Sequence, residues 1–154
     1  MALIGTLEKD IEVQTPADKL YTMFKSQCYH IPNISNNIHA IDVHEGDWEK
    51  GGSVKEWKYN IDGNVETFKE KVEVDEENKA VTFIAVGGHI LDHYKNYKGT
   101  FKFTPKIEGG NNHLVKITLD YEKRKVDDPH PLDKYMEFLV SLVKEVDVHH
   151  VLQA

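Results

Sequence analysis

Apolar and polar positions alternate from the start of the chain. Leu3, Gly5, Leu7, Ile11 and Val13 fall on one face, with Thr6, Glu8, Asp10 and Glu12 on the other. A period of two predicts a strand, with Lys9 as its one misfit. Thr15 and Pro16 then read as an N-cap and a first helical position, with Asp18 in the first turn. Leu20, Met23 and Phe24 supply the apolar stripe of a short helix ending near Lys25, and a second short helical piece is predicted before Pro32.

From Ile38 to Lys125 the pattern predicts strands and turns. Ile41 and Val43 alternate with Asp42 and His44, and the loop GDWEKGG follows at 46–52. Trp57, Tyr59 and Ile61 alternate with Glu56, Lys58 and Asn60, and Asp62-Gly63 is a hairpin signal, because both turn positions accept positive φ. Phe68, Glu70, Val72 and Val74 share a face, and DEEN at 75–78 makes the next turn. Val81, Phe83 and Ala85 precede Gly87-Gly88, and residues 91–104 read as a strand ending in Phe101 and Phe103. After a loop at 109–112, Val115, Ile117, Leu119 and Tyr121 alternate with Lys116, Thr118 and Asp120. Short strands at this spacing predict one large antiparallel sheet.

After DDPHP at 127–131 the period changes, and Pro131 suits a helix start. Leu132, Tyr135, Met136, Leu139, Leu142, Val143 and Val146 recur at three- and four-residue spacing, opposite Lys134, Glu137, Ser141, Lys144 and Glu145. This predicts a long amphipathic helix. Phe138, Val140, Val148, Val151 and Leu152 widen its apolar side, so it should lie in the concave side of a curved sheet.

Composition narrows the class. The 154 residues predict one domain over 1–154, with no linker or repeat. No apolar run reaches the roughly 18 residues of a membrane span, and the N-terminal segment lacks the basic and apolar regions of a secretory signal. The single cysteine, Cys28, excludes an intrachain disulfide and suits the cytosol, as a buried thiol. A net charge of −7 opposes a phosphate backbone, so no nucleic-acid partner is expected. The Gly loop has no GK[ST] order and carries Asp47 and Glu49, so a structural turn is expected rather than a nucleotide cradle. There are 9 histidines, but His89/His93 and His149/His150 do not form a ligand set at zinc spacing, and no metal or cofactor is expected. Nor is there a GxSxG nucleophile motif.

Polar residues on apolar strand faces carry more information. Strict alternation back from Phe101 and Phe103 brings His93, Lys95, Tyr97 and Gly99 to their face. Glu70 joins Phe68, Tyr121 joins Leu119, and Trp57 joins Tyr59. A filled core would not hold so many polar groups without partners. Either a bulge sends part of the 91–104 strand, with Lys95, to solvent, or these groups line a cavity and orient a ligand.

Four segments together resemble one family: EGDWEKGGSVKEWKY at 45–59, IDGNVETFKEKVE at 61–73, GHILDHYKNYKGTFKFTPK at 88–106, and the terminal helix from Pro131. They are similar to the major latex protein branch of the plant birch-pollen-allergen-like superfamily, which includes the class-ten pathogenesis-related proteins. The resemblance implies an α+β helix-grip (START-like) fold. In it a seven-stranded curved antiparallel sheet wraps the long C-terminal helix, two short helices follow strand one, and a hydrophobic cavity lies inside. Many relatives carry a denser Gly-rich loop where Asp47, Trp48, Glu49 and Lys50 stand here.

The residues expected to line that cavity are Met23, Trp57, Tyr59, Phe68, Glu70, Phe83, His93, Lys95, Tyr97, Phe101, Tyr121, Tyr135, Met136, Leu139, Leu142 and Val143. A carrier would need a void of roughly 300 Å³ or more. The resemblance implies an intracellular carrier or sensor of amphipathic small molecules (lipid, steroid or hormone-like) associated with plant defence and stress, as a monomer or weak dimer. No residue is assigned a catalytic role. The rival reading is a cofactor-independent cyclase or isomerase of specialised metabolism, with Glu70, His93, Lys95 and Tyr97 as acid–base candidates. Ribonuclease activity, also associated with some relatives, is disfavoured by the acidic balance and the altered loop.

Overall fold

A computed structural model describes residues 3–49, 51–105, 113–130 and 132–153. The expectations that rested on Lys50, on the 109–112 loop and on Pro131 lie outside the described residues. The element order is β1 (Ile4–Val13), α1 (Ala17–Ser26), a 3-10 turn at Cys28–His30 leading into α2 (Ile31–Ile34), β2 (Ile38–Glu45), β3 (Val54–Ile61) and β4 (Asn64–Asp75). There follow β5 (Ala80–Gly88), a second 3-10 turn at His89–Asp92, β6 (Tyr94–Thr104), β7 (His113–Lys123) and α3 (Leu132–Gln153). The seven strands form one antiparallel sheet in the order β1-β7-β6-β5-β4-β3-β2.

The core lies between one face of this sheet and the helices α1 and α3. Val13, Val81, Phe103, Val115, Ile117 and Leu119 from the sheet meet Leu20 and Phe24 of α1 and Val143 and Val146 of α3, all buried. The hairpin signal at 62–63 is realised as the β3–β4 turn, with φ of 52° at Asp62 and 82° at Gly63. The broad apolar side of α3 is narrower than its composition predicts: Val148, Val151 and Leu152 are exposed.

Two expectations change. Thr15 does not cap α1, which begins at Ala17 after an extended Pro16. Its hydroxyl instead donates to Asp147 of α3 at 2.6 Å, and Asp147 also accepts the backbone N–H groups of Gln14 at 3.1 Å and Thr15 at 2.8 Å. A half-buried carboxylate taking several charge-assisted bonds outcompetes a local cap. The 91–104 strand also starts late. His89 to Asp92 form a turn, and the β6–β7 register shifts between Tyr94 and Asn96. The β4–β5 pairing is likewise offset between Lys69 and Glu70. Gly88, at φ 97°, ends β5 where a Cβ would stand 2.3 Å from the Thr67 carbonyl oxygen. The chain can enter the turn only through a residue without a side chain.

Candidate functional site

Between the first half of α3 and the sheet the core does not close. Tyr135, Phe138, Leu139 and Leu142 of α3 form one wall, and Phe24 of α1 and Ile38 of β2 flank it. Trp57, Tyr59, Phe68, Glu70, Phe83, Tyr97, Gly99, Phe101 and Leu119 form the sheet wall, and Ile90 covers one side. The cavity offers about 80 Å³ to the centre of a water molecule. That is below the roughly 300 Å³ expected for a carrier, because aromatic rings occupy much of the space. Phe83 meets Phe101 edge-on at 5.5 Å, Phe68 meets Tyr97 at 5.9 Å, and Tyr59 lies 5.2 Å from Phe138. Phe68, Phe138 and Leu139 are only half-buried, so this part of the wall borders solvent. Gly99 helps keep the space open: a Cβ there would reach Leu119 at 3.3 Å.

The chemistry of the cavity centres on Glu70. It is 1% exposed, and its Oε2 has no hydrogen-bond partner. Lys55, also 1% exposed, is its register partner on β3. Its amino group makes its hydrogen bond elsewhere, donating to the Trp48 carbonyl at 3.4 Å and lying 5.3 Å from the centre of the Trp48 ring. Burial pushes the Glu70 carboxyl well above the ordinary carboxylate range, against the opposing pull of Lys55 and of the Trp57 indole. That indole N–H does not complete the bond: Nε1, too, is buried without a partner. Burial also raises the Tyr97 phenol. Cys28, fully buried, has its thiol pushed up to about 12, chiefly by desolvation.

Tyr135 joins this cavity to a second, polar pocket of about 230 Å³, lined also by Asp62, Asn64, Glu66, His89, Asp92, His93, His130 and Lys134. The Tyr135 hydroxyl donates to Glu66. His93 Nδ1 is 2.9 Å from Asp128, and its ring stacks on His130 at 4.1 Å. His130 Nδ1 in turn lies 3.1 Å from the Tyr94 hydroxyl. Burial lowers the pKa of His130, and the hydrogen bond from His93 lowers that of Asp128. Among the described residues no three His, Cys, Asp or Glu side chains gather to hold a metal ion.

The sequence-based site is partly assembled here. Trp57, Tyr59, Phe68, Glu70, Phe83, Tyr97, Phe101, Tyr135, Leu139 and Leu142 border the apolar cavity. Lys95 does not. The shift between Tyr94 and Asn96 turns it outward, where its side chain is 52% exposed and 3.8 Å from Glu122. Of the two explanations for this strand, the bulge is therefore correct. His93 precedes β6 and lines the polar pocket instead. Tyr121 packs beside Gly5 and against Tyr94 at 5.7 Å, away from the cavity. Met23, Met136 and Val143 are buried in filled core. Phe24, Ile38, Ile90, Gly99, Leu119 and Phe138 border the cavity without having been singled out. Lys55 was missed too, although the alternation of Trp57, Tyr59 and Ile61, run back one step, places it on the inner face.

Comparisons with known proteins agree with this geometry. The family described as the pathogenesis-related protein Bet v 1 family matches residues 2–154. MLP-like protein 328 of Arabidopsis thaliana is 37% identical over 155 aligned residues that span all of both chains. A crystal structure of ginseng major latex-like protein 151, from Panax ginseng, superposes with a TM-score of 0.88 at 36% identity, covering 97% of this chain and 99% of that one. A START superfamily protein from Mycobacterium smegmatis shares the fold, with a TM-score of 0.74 at 19% identity over 97% of this chain and 99% of that one. The helix-grip, START-like architecture is thus that of these neighbours.

Proposed function

The chain belongs to the pathogenesis-related Bet v 1 family, with major latex-like proteins among its relatives, and on that premise we propose that it is a non-catalytic carrier or sensor of amphipathic small molecules. The observation that supports this most is the apolar cavity between α3 and the sheet, walled by aromatic rings and holding a single buried carboxyl, Glu70. Such a wall buries the rings or chain of a ligand, and the carboxyl fixes its orientation. The adjoining polar pocket, reached past Tyr135, offers a route from solvent along which the hydrophilic end of the ligand can stay hydrated. Because the cavity is small at rest, loading requires Phe68, Phe138 and Leu139 to swing outward. Binding then combines apolar burial with a negative heat-capacity change.

The same reading makes this a cytosolic protein of plant defence or stress response, acting as a monomer or weak dimer without nucleic acid. Purification under native conditions, followed by solvent extraction and mass spectrometry, tests it. One amphipathic compound at near-stoichiometric occupancy is the expected result. An empty protein that takes up no lipid or steroid from a panel, but turns over an unstable carbonyl intermediate, would overturn it in favour of acid–base catalysis by Glu70.

A further inference from the structure

Two buried polar atoms in the cavity wall lack partners, and they are neighbours. Trp57 on β3 is register-paired with Phe68 on β4, and Glu70 is the next residue of β4 on the same face. The two side chains are thus diagonal cross-strand neighbours, a separation that large side chains bridge. Both line the cavity, both residues are less than a tenth exposed, and neither Trp57 Nε1 nor Glu70 Oε2 makes a hydrogen bond. Buried polar groups are nearly always paired, so this corner is built for a group that arrives from outside.

The donor inventory identifies that group. The indole N–H can only donate. Burial in the same dry wall favours the protonated form of Glu70, and Lys55 makes its hydrogen bond to Trp48, so in that form the carboxyl O–H donates as well. Two donors in an apolar wall call for an oxygen with two lone pairs and no hydrogen of its own. A carbonyl oxygen accepts from both donors and brings no hydrogen of its own that needs a partner, whereas a carboxylate would bring a charge into a dry site. Resting on the carrier reading above, we infer that the Glu70–Trp57 corner binds a neutral carbonyl oxygen, a ketone or ester, on an otherwise apolar ligand. The carbonyl fixes how far the ligand enters and which end faces α3.

The test uses a shape-matched pair, 2-acetylnaphthalene and 2-isopropenylnaphthalene, titrated by calorimetry into the native protein and three variants. The quantity read is the ratio of ketone to alkene affinity, which cancels changes in cavity size common to both probes. Relative to wild type, Glu70→Leu should lower that ratio by about tenfold and Trp57→Phe by about threefold, the range set by one neutral hydrogen bond. Glu70→Gln, whose amide still donates, should keep it within about twofold. A ratio unchanged in Glu70→Leu and Trp57→Phe, with both probes binding, overturns the carbonyl assignment and leaves the carrier reading intact. A ratio lost equally in Glu70→Gln overturns the donor role of Glu70. If neither probe binds the wild type at low millimolar concentration, the carrier reading falls and takes this inference with it.

Discussion

Along α3, Val143 and Val146 are fully covered, whereas Phe138, Leu139 and Val140, one to two turns earlier, are only half-buried. The helix meets β1, β7 and α2, and small branched side chains, Val143 and Val146, fill its later half. It is also tied there by the bonds of Asp147 to Gln14 and Thr15, and by Ser35 donating to Glu145 at 3.1 Å. The earlier half stands over β3 to β6, where rings and one carboxyl replace branched aliphatics. Rings are flat and bulky, and around Gly99 they leave gaps that Val or Ile would close. One helix thus packs tightly around Val143 and Val146 and borders a cavity one to two turns earlier, an arrangement that can hold the fold while leaving room for a guest.

Truncating one ring at each end tests this contrast most severely. Phe103 is 1% exposed and packs on Tyr21 and Phe24, so Phe103→Ala should cost about 3–5 kcal/mol. Phe68→Ala, in the half-buried cavity wall, should cost less than half as much. Urea midpoints read both, and equal losses would erase the distinction between the ends.

Next in size is the anchor itself. Asp147→Ala removes the acceptor for two backbone N–H groups and the buried Thr15 hydroxyl, and should cost about 2–3 kcal/mol, since bonds to charged groups are the stronger kind. Hydrogen exchange should localise the loss to the end of β1 and the last turns of α3. Loss spread evenly along α3 would deny Asp147 its role as an anchor.

In the cavity wall the sign reverses. Glu70→Leu removes an unpartnered buried group and should stabilise the ligand-free protein by about 1–2 kcal/mol at pH 7. The folded carboxyl holds its proton to a higher pH than the unfolded one does. Its stabilising share is therefore complete below the unfolded carboxylate pKa and is lost as pH rises towards the folded value. The gain from Glu70→Leu should accordingly shrink when urea midpoints are taken at pH 4. A gain that grows with acidity would mean the carboxyl is ionised and paired in the fold.

The smallest effect belongs to Tyr97. Tyr97→Phe should change stability at pH 7 by less than about 1 kcal/mol. Burial raises the folded phenol pKa, so the wild type loses stability as pH climbs past the unfolded tyrosine value. That loss should be shallower in the variant when midpoints at pH 8 and pH 10.5 are compared. An identical slope would place the phenol in contact with solvent.

Much of this was legible in the residue pattern. Periods of two and of three to four located the strands and α3, because each depends on geometry within one element. Trp57, Tyr59, Phe68 and Glu70 were placed on the inner face by alternation alone, and the quoted segments pointed to the helix-grip family. Lys55 was equally readable, since it lies two residues before Trp57 and so on the same strand face.

The direction of Lys95, the fate of Thr15 and the size of the cavity were decided only by the tertiary structure. Alternation carries a side chain's direction from one residue to the next, so a single slip between Tyr94 and Asn96 reverses everything before it. Just before that slip, the Arg124 backbone N–H donates to the His93 carbonyl at 3.0 Å, tying the end of the 89–92 turn to the segment after β7. Thr15 turns to Asp147, a partner 132 residues away, which no local pattern announces. The inner face that the sequence by itself determined says which side chains meet in the cavity; how nearly they fill it depends on rotamers chosen together across α3 and several strands at once.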